Sequence, residues 1–334
     1  MITRGKYKNK DCYVISSGSL SASIIPDPGA KVASLVDRAT GYEHMAQRAG
    51  SLYRDQPFDG VYVDGECTGF DDMFPTIDEC HYEAAPWRGV RLADHGEVWS
   101  LPWEHEVKGD AIHLRVRGVR LPYVLEKTVS MPAERTLRVD YVLMNDTDFP
   151  MDYLWAAHVM ANIDEGTRVL LPRCCRTAMT TMSTSGRMGR YGDSVPWPVF
   201  TAPDGTPQRA DVSRPASVAD NEKYYFRDPL DEGWCAARAP GGRLLALSFP
   251  VSTVPYLGIL MNEHAFDDRY NIFLEPCSAP FDRPDVARLH GQGSVVKAHG
   301  RVAWHLCMTV DTLSAGEELV RVTEDGTLVK GRGR

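Results

Sequence analysis

The sequence predicts a mainly β protein, a large antiparallel fold with few short helices, and three observations lead there. Short or alternating apolar runs bounded by Gly, Pro, Asn or Asp recur along the whole chain, which is how half-buried strands read. The 334 residues include 28 Gly and 22 Pro, a supply of turn formers that leaves little room for long helices. Strand-like runs never alternate with helical patterns of about 10–15 residues, which disfavours a parallel α/β arrangement. At about 150 residues per domain the length would allow two domains. No linker, internal repeat or low-complexity stretch divides the chain, so residues 1–334 are expected to form a single domain.

Taken in order, Ser19 to Pro26 (SLSASIIP) reads as a strand, a PDPG turn follows, and Lys31 to Asp37 returns. Ala111 to Val119 alternates, with Ile112, Leu114 and Val116 on one face. Tyr123 to Met131 and Thr136 to Met144 continue the pattern across a PAER turn, and Asn145-Asp146-Thr147-Asp148 closes the third strand, as in an antiparallel meander. Further strands are expected at Val169 to Pro172, Leu244 to Phe249, Tyr256 to Met261, Tyr270 to Leu274 and Arg301 to Val310. Helical periodicity is confined to Pro284 to His290, Asp220 to Phe226 and Ala315 to Val322, each long enough for two turns. Two stretches, Arg54 to Arg91 and Cys175 to Asp220, are too long for plain turns; such loops in a compact domain usually pack over a functional site.

Charge and composition bound the function. The chain has 37 Lys and Arg against 45 Asp and Glu, a net charge of −8, so no basic excess exists to release counterions from a nucleic acid. A neutral polar small molecule, or an anionic one met by a few local arginines, remains open. Met1 to Lys10 is polar and basic without an apolar core, and no apolar run approaches membrane-spanning length, so a cytoplasmic protein without a membrane partner is expected. Eight cysteines are scattered without paired spacings and read as reduced packing residues; only Cys174 and Cys175 are adjacent.

Three segments set titratable groups among apolar and aromatic ones: Leu92 to Trp99 with His95, Tyr153 to Asn162 with His158, and Ile272 to Asp282 with Glu275. A lone histidine among apolar residues is ordinarily a satisfied structural group. Glu275 stands out, because it ends an apolar run just before Pro276. Burying a carboxylate costs on the order of several kcal/mol unless it is paired, hydrogen-bonded or neutralised. It is either a strand-end group bonding loop amides or a working carboxylate.

Together, in this order and spacing, the segments DHGEVW, WAAHVMAN and LEPCSAPFD resemble the aldose 1-epimerase (galactose mutarotase-like) family over roughly residues 15 to 312. GFDDMFPTI, at 69–77, is similar to an acidic segment of that family's uncharacterised members. The resemblance implies a β-supersandwich holding a monosaccharide in a cleft and interconverting its α and β anomers. Mapped by motif, Glu275 would be the general base at the anomeric hydroxyl, His158 the acid at the ring oxygen, and His95 a group that binds and polarises the sugar near that oxygen. Asp71, Asp72 and Trp99 are candidate sugar contacts. Arg88 and Arg173, with Arg176 and Lys223, would rim the cleft and read any anionic substituent. No metal or organic cofactor is implied, and a monomer or homodimer is expected. The chain departs from the family in two places. No NGR-type segment precedes His95, and the His-Pro-Tyr-Phe context is here His158-Val159-Met160-Ala161, as in a divergent subfamily.

Other chemistries find no complete signature. His95-Gly96-Glu97 lacks the P-C-x-x-C of a zinc deaminase, and there is no HExxH, G-x-S-x-G, P-loop or G-x-G-x-x-G. The resemblance makes a mutarotase of a hexose, or of a modified or acidic hexose, the expectation. A non-catalytic sugar-binding protein, or another proton-transfer enzyme such as a lyase or isomerase on the same scaffold, is the alternative.

Overall fold

The computed structural model describes residues 1–266 and 269–332. Strands dominate it. Among the described residues the helical segments are Pro284–Leu289 and the single turns Tyr62–Asp64 and Ala216–Val218. No helix is long and apolar enough to cross a membrane among these residues. The chain forms two compact units, residues 1–158 with 277–306, and residues 159–276 with 307–334. The divisions fall inside the strands Ala156–Asn162, Tyr270–Cys277 and Arg301–Thr312.

In the first unit, Ile2–Tyr7, Lys10–Ser16, Leu20–Ile25 and Lys31–Asp37 pair antiparallel in sequence order, and Phe70–Met73 joins through Val32 and Phe70. The Ala156–Asn162 strand follows in that sheet. A second sheet is the expected meander: Ala111–Arg117 pairs with Tyr123–Ala133, which pairs with Thr136–Asn145, and Glu104–Lys108 lies at the edge. Alternation drives it, since Ile112, Leu114, Leu125, Val129, Leu137, Val139 and Leu143 are all buried.

In the second unit the strand order is Tyr270–Cys277, Tyr256–Glu263, Asp220–Phe226, Thr177–Ser183 and Ser194–Pro196. Arg168–Leu170, Trp234–Arg238 and Arg243–Ser248 pair antiparallel in the other sheet. The eight cysteines are free thiols, all buried except the half-buried Cys174.

Two helical expectations are overturned. Asp220–Phe226 is a strand, paired on both sides with Thr177–Ser183 and Tyr256–Glu263. Its charges mimic a polar helix face, yet Asp220, Glu222 and Lys223 are buried and neutralised by Arg214, Arg187 and Glu275. Ala315 to Val322 contains the strand Glu317–Val322, which pairs with Leu328–Arg332. Val322, with Leu319 and Leu328, packs on a core of Trp234, Ala236, Leu244, Ala246 and Leu313, and that burial outweighs local propensity. Pro284–Leu289 is helical as expected. The two long irregular stretches carry short strands, among them Phe70–Met73 and Thr177–Ser183.

Candidate active site

The predicted residues fall in two groups, one in each unit. In the first unit His95 sits in a turn at φ +59°, followed by Gly96 at φ +73°. A Cβ on Gly96 would lie 2.1 Å from the Phe74 carbonyl oxygen, so only glycine allows this approach. The turn is tied to the 74–77 backbone, where Glu97 N donates to Phe74 O at 2.9 Å and His95 N donates to Ile77 O. Glu97, 2% exposed, braces the same turn by accepting from the Val119 and Arg120 amides and from the Tyr123 hydroxyl. Burial pushes its carboxyl up, and those three donors oppose the shift.

His158, 3% exposed, projects from the Ala156–Asn162 strand. Its ring lies edge-on to His95, with centroids 5.2 Å apart, and edge-on to Tyr62 at 6.0 Å. Tyr62 completes the cluster: it stacks on His95 at 4.3 Å with a 20° interplanar angle, and meets the Trp99 ring edge-on at 5.1 Å. Its hydroxyl donates to Asp71 Oδ2 at 2.9 Å, and its backbone amide donates to Asp94 Oδ2 at 2.9 Å. The second Asp94 oxygen lies 2.8 Å from His95 Nδ1.

Asp71 and Asp72 follow one another on a strand, so their side chains leave on opposite faces. Asp71 faces Tyr62 and pairs with Lys31 Nζ at 2.7 Å. Burial pushes its carboxyl up against the pull of Lys31 and Tyr62. Asp72, fully buried, accepts from Lys127 Nζ at 2.8 Å and from Trp155 Nε1 at 2.9 Å. With both oxygens engaged in the interior, it serves the packing of this unit, as a counter-ion to Lys127.

In the second unit Glu275 has no exposed surface, and it lies within the Tyr270–Cys277 strand, not at its end. Its Oε2 is 3.0 Å from Lys223 Nζ, itself a buried group. Lys223 and Tyr225 share one face of Asp220–Phe226, with the ammonium 5.5 Å from the Tyr225 ring centroid. Gly258, opposite Tyr225 on the intervening strand, makes room for this pair. A Cβ there would stand 2.8 Å from Tyr225 Cε1 and 3.1 Å from Glu275 Oε2.

The expected rim cations are shared between the two units, Arg88 in the first and Arg173, Arg176 and Lys223 in the second. Arg88 is exposed and its Nε donates to the Glu83 carbonyl at 2.9 Å. Arg173 and Arg176 are exposed in the second unit, whereas Lys223 is buried against Glu275. Sequence reasoning missed Tyr62 and the roles of Asp94, Lys31 and Gly258. Tyr62 lies in a short GVYVDG stretch with no periodicity, and its partners are separated from it by loops. Among the described residues, no cluster of three or more His, Cys, Asp or Glu is arranged to hold a metal ion.

No family model matches the chain, and no curated protein does. Solved structures do. A galactose mutarotase related enzyme from Lactobacillus acidophilus is 15% identical, with 90% of this chain and 97% of that chain covered at a TM-score of 0.64. A galactose mutarotase-like protein from Lactobacillus casei is 18% identical, with 90% and 100% covered and a TM-score of 0.62. One from Clostridium acetobutylicum is 13% identical, with 94% and 99% covered and a TM-score of 0.63. The chain therefore has the galactose mutarotase-like β-sandwich fold, as its motifs led one to expect.

Proposed function

We propose that this protein is a mutarotase that interconverts the α and β anomers of a hexose or of an acidic or otherwise modified hexose. Glu275 takes the proton from the anomeric hydroxyl while protonated His158 delivers one to the ring oxygen. The bond from C1 to the ring oxygen breaks, leaving the open-chain aldehyde, and rotation about C1–C2 presents the other carbonyl face. Protonated Glu275 then returns its proton as His158 takes one back, and the ring closes with inverted configuration. His95 holds the ring oxygen, and Trp99 offers an apolar face to the sugar. Arg88 and Arg173 stay as candidate readers of an anionic substituent. Proton transfers by placed side chains contribute about 10²–10⁴-fold each, and the reaction closes without a cofactor.

The observation that carries this reading is the imidazole pair, buried His158 edge-on to half-buried His95 at 5.2 Å within an aromatic cluster. The fold, shared with proteins named as mutarotase-related, agrees with it. Exchange NMR or polarimetry across neutral and acidic hexoses tests it. Acceleration of anomerisation for at least one sugar is expected, and rates unchanged for all of them would sink the reading.

The Lys223–Glu275 ion pair favours a second reading, sugar binding without catalysis, because a carboxylate already neutralised by an ammonium is a weaker base. Tight binding by calorimetry with no rate enhancement would select it.

A further inference from the structure

Asp94 joins two elements that carry the histidine cluster. Its Oδ1 lies 2.8 Å from His95 Nδ1, and its Oδ2 accepts from the Tyr62 backbone amide at 2.9 Å. An ionised carboxylate has no proton to give, so Nδ1 of His95 must be the donor. We propose that Asp94 is the positioning residue of this site: it fixes His95 as the Nδ1–H tautomer, with Nε2 turned to the substrate, and holds the Tyr62 ring that stacks on the imidazole. The inference rests on the reading of His95 as a sugar-polarising group.

Three features make the arrangement a device for orientation. The His95 backbone is confined to a left-handed turn whose next residue tolerates no side chain, so only the ring torsions are free to vary. One face of the ring is covered by Tyr62 at 4.3 Å. Tyr62 is in turn held at both ends, by its hydroxyl on Asp71 and its amide on Asp94. Trp99 Nε1 donates to the Asp94 carbonyl at 3.4 Å, tying the aspartate's own backbone to the same aromatic group.

The charge state required of Asp94 also fits. Burial pushes its carboxyl up, but the hydrogen bond and charge of His95 and the Tyr62 amide outweigh that and hold it below the usual aspartate range. At neutral pH it is the acceptor that the geometry calls for. In its neutral form His95 then carries the Nε2 lone pair toward the substrate, and as imidazolium it offers Nε2–H to the ring oxygen.

Long-range proton–nitrogen correlation spectra of the full-length protein, with the His95 signals assigned through His95→Gln, read the tautomer directly. The wild type should show Nδ1–H at His95, and Asp94→Asn should show a mixture or the Nε2–H form. With a sugar that the protein anomerises, Asp94→Asn should lower kcat about 10–10³-fold, less than the roughly 10⁴-fold seen where such an aspartate orients a general base, with a smaller change in KM. An Nε2–H tautomer in the wild type overturns the proposal, whether or not Asp94→Asn folds. An unchanged tautomer in Asp94→Asn also overturns it, even if the enzyme proves to be a mutarotase. Failure to anomerise any sugar strikes the reading of function but leaves the tautomer test standing.

Discussion

The loop-borne pair His95 and Tyr62 and the strand-borne pair Glu275 and Lys223 are built by opposite means, and His158 shares the strand footing of the second pair. His95 and Tyr62 stand on irregular backbone, one in a left-handed turn and the other in a single 3₁₀ turn, and hydrogen bonds to the carboxylates of Asp94 and Asp71 fix them. Glu275 and Lys223 stand on strands, and register fixes them: Tyr225 lies opposite Gly258, and the absent side chain at 258 leaves room beside the Glu275 oxygen. A strand scaffold stores geometry in its ladder, so few dedicated partners are needed. A loop scaffold has no such ladder and relies on each polar contact it makes. Substitutions should therefore act on the two groups in different ways.

The largest effect is expected where the strand-borne group does its chemistry. Glu275→Gln should lower the anomerisation rate about 10²–10⁴-fold, the span of one general base, as read by exchange NMR. It also leaves Lys223 facing a neutral amide, and breaking a buried pair from one side costs about 3–5 kcal/mol. The double variant Glu275→Gln/Lys223→Met should recover most of that stability in thermal melts and none of the activity. Full activity in Glu275→Gln would remove the assigned base. Activity returning with the double variant would show that the single change acted through stability alone.

A smaller change probes the ladder itself. Gly258→Ala inserts a methyl group 2.8 Å from Tyr225 Cε1 and 3.1 Å from Glu275 Oε2. Overpacking of this kind costs about 1–3 kcal/mol, and displacement of the carboxylate should lower activity about tenfold, since a misplacement near 1 Å can cost about 10²-fold. Stability falling with activity intact would mean that the space at 258 serves packing only.

The same contrast explains what the sequence disclosed. Strand-borne features were largely legible: Lys31–Asp37 and the meander of Ala111–Arg117, Tyr123–Ala133 and Thr136–Asn145 follow period-2 alternation, and His158 sits inside a strand, whereas the strand expected at Tyr270 to Leu274 stopped one residue short of Glu275, which lies inside Tyr270–Cys277. Asp220–Phe226 was misread because charge spacing at the surface of a helix and charge pairing in the interior of a sheet look alike until the partners are known. Tyr62 was not legible at all. Its importance comes from Asp71, Asp94 and His95, met through folding across separate loops, and no local period marks such a residue. Asp94 lay within a quoted motif, but nothing in the motif told that its two oxygens serve different elements.

The smallest effect should come from the loop-borne group, through Tyr62→Phe, and its signature is a dependence on pH. The change keeps the ring on His95 and removes only the hydroxyl that donates to Asp71. Burial pushes the Asp71 carboxyl up; Lys31 and the Tyr62 hydroxyl resist, so losing the hydroxyl lets it rise further. A carboxyl raised in the folded state penalises folding when ionised, and that penalty is present above the folded value and relieved as pH falls through it. The hydroxyl favours the ionised form, so its loss is felt most at neutral pH. Urea unfolding at a series of pH values should give a loss of about 1–2 kcal/mol near neutrality, shrinking as pH falls toward the ordinary aspartate value of about 3.9. A loss that stays constant across that range would mean the phenol stabilises the fold as a neutral hydrogen bond, and that Tyr62 is held by its stacking and by Asp94 more than by the charge on Asp71.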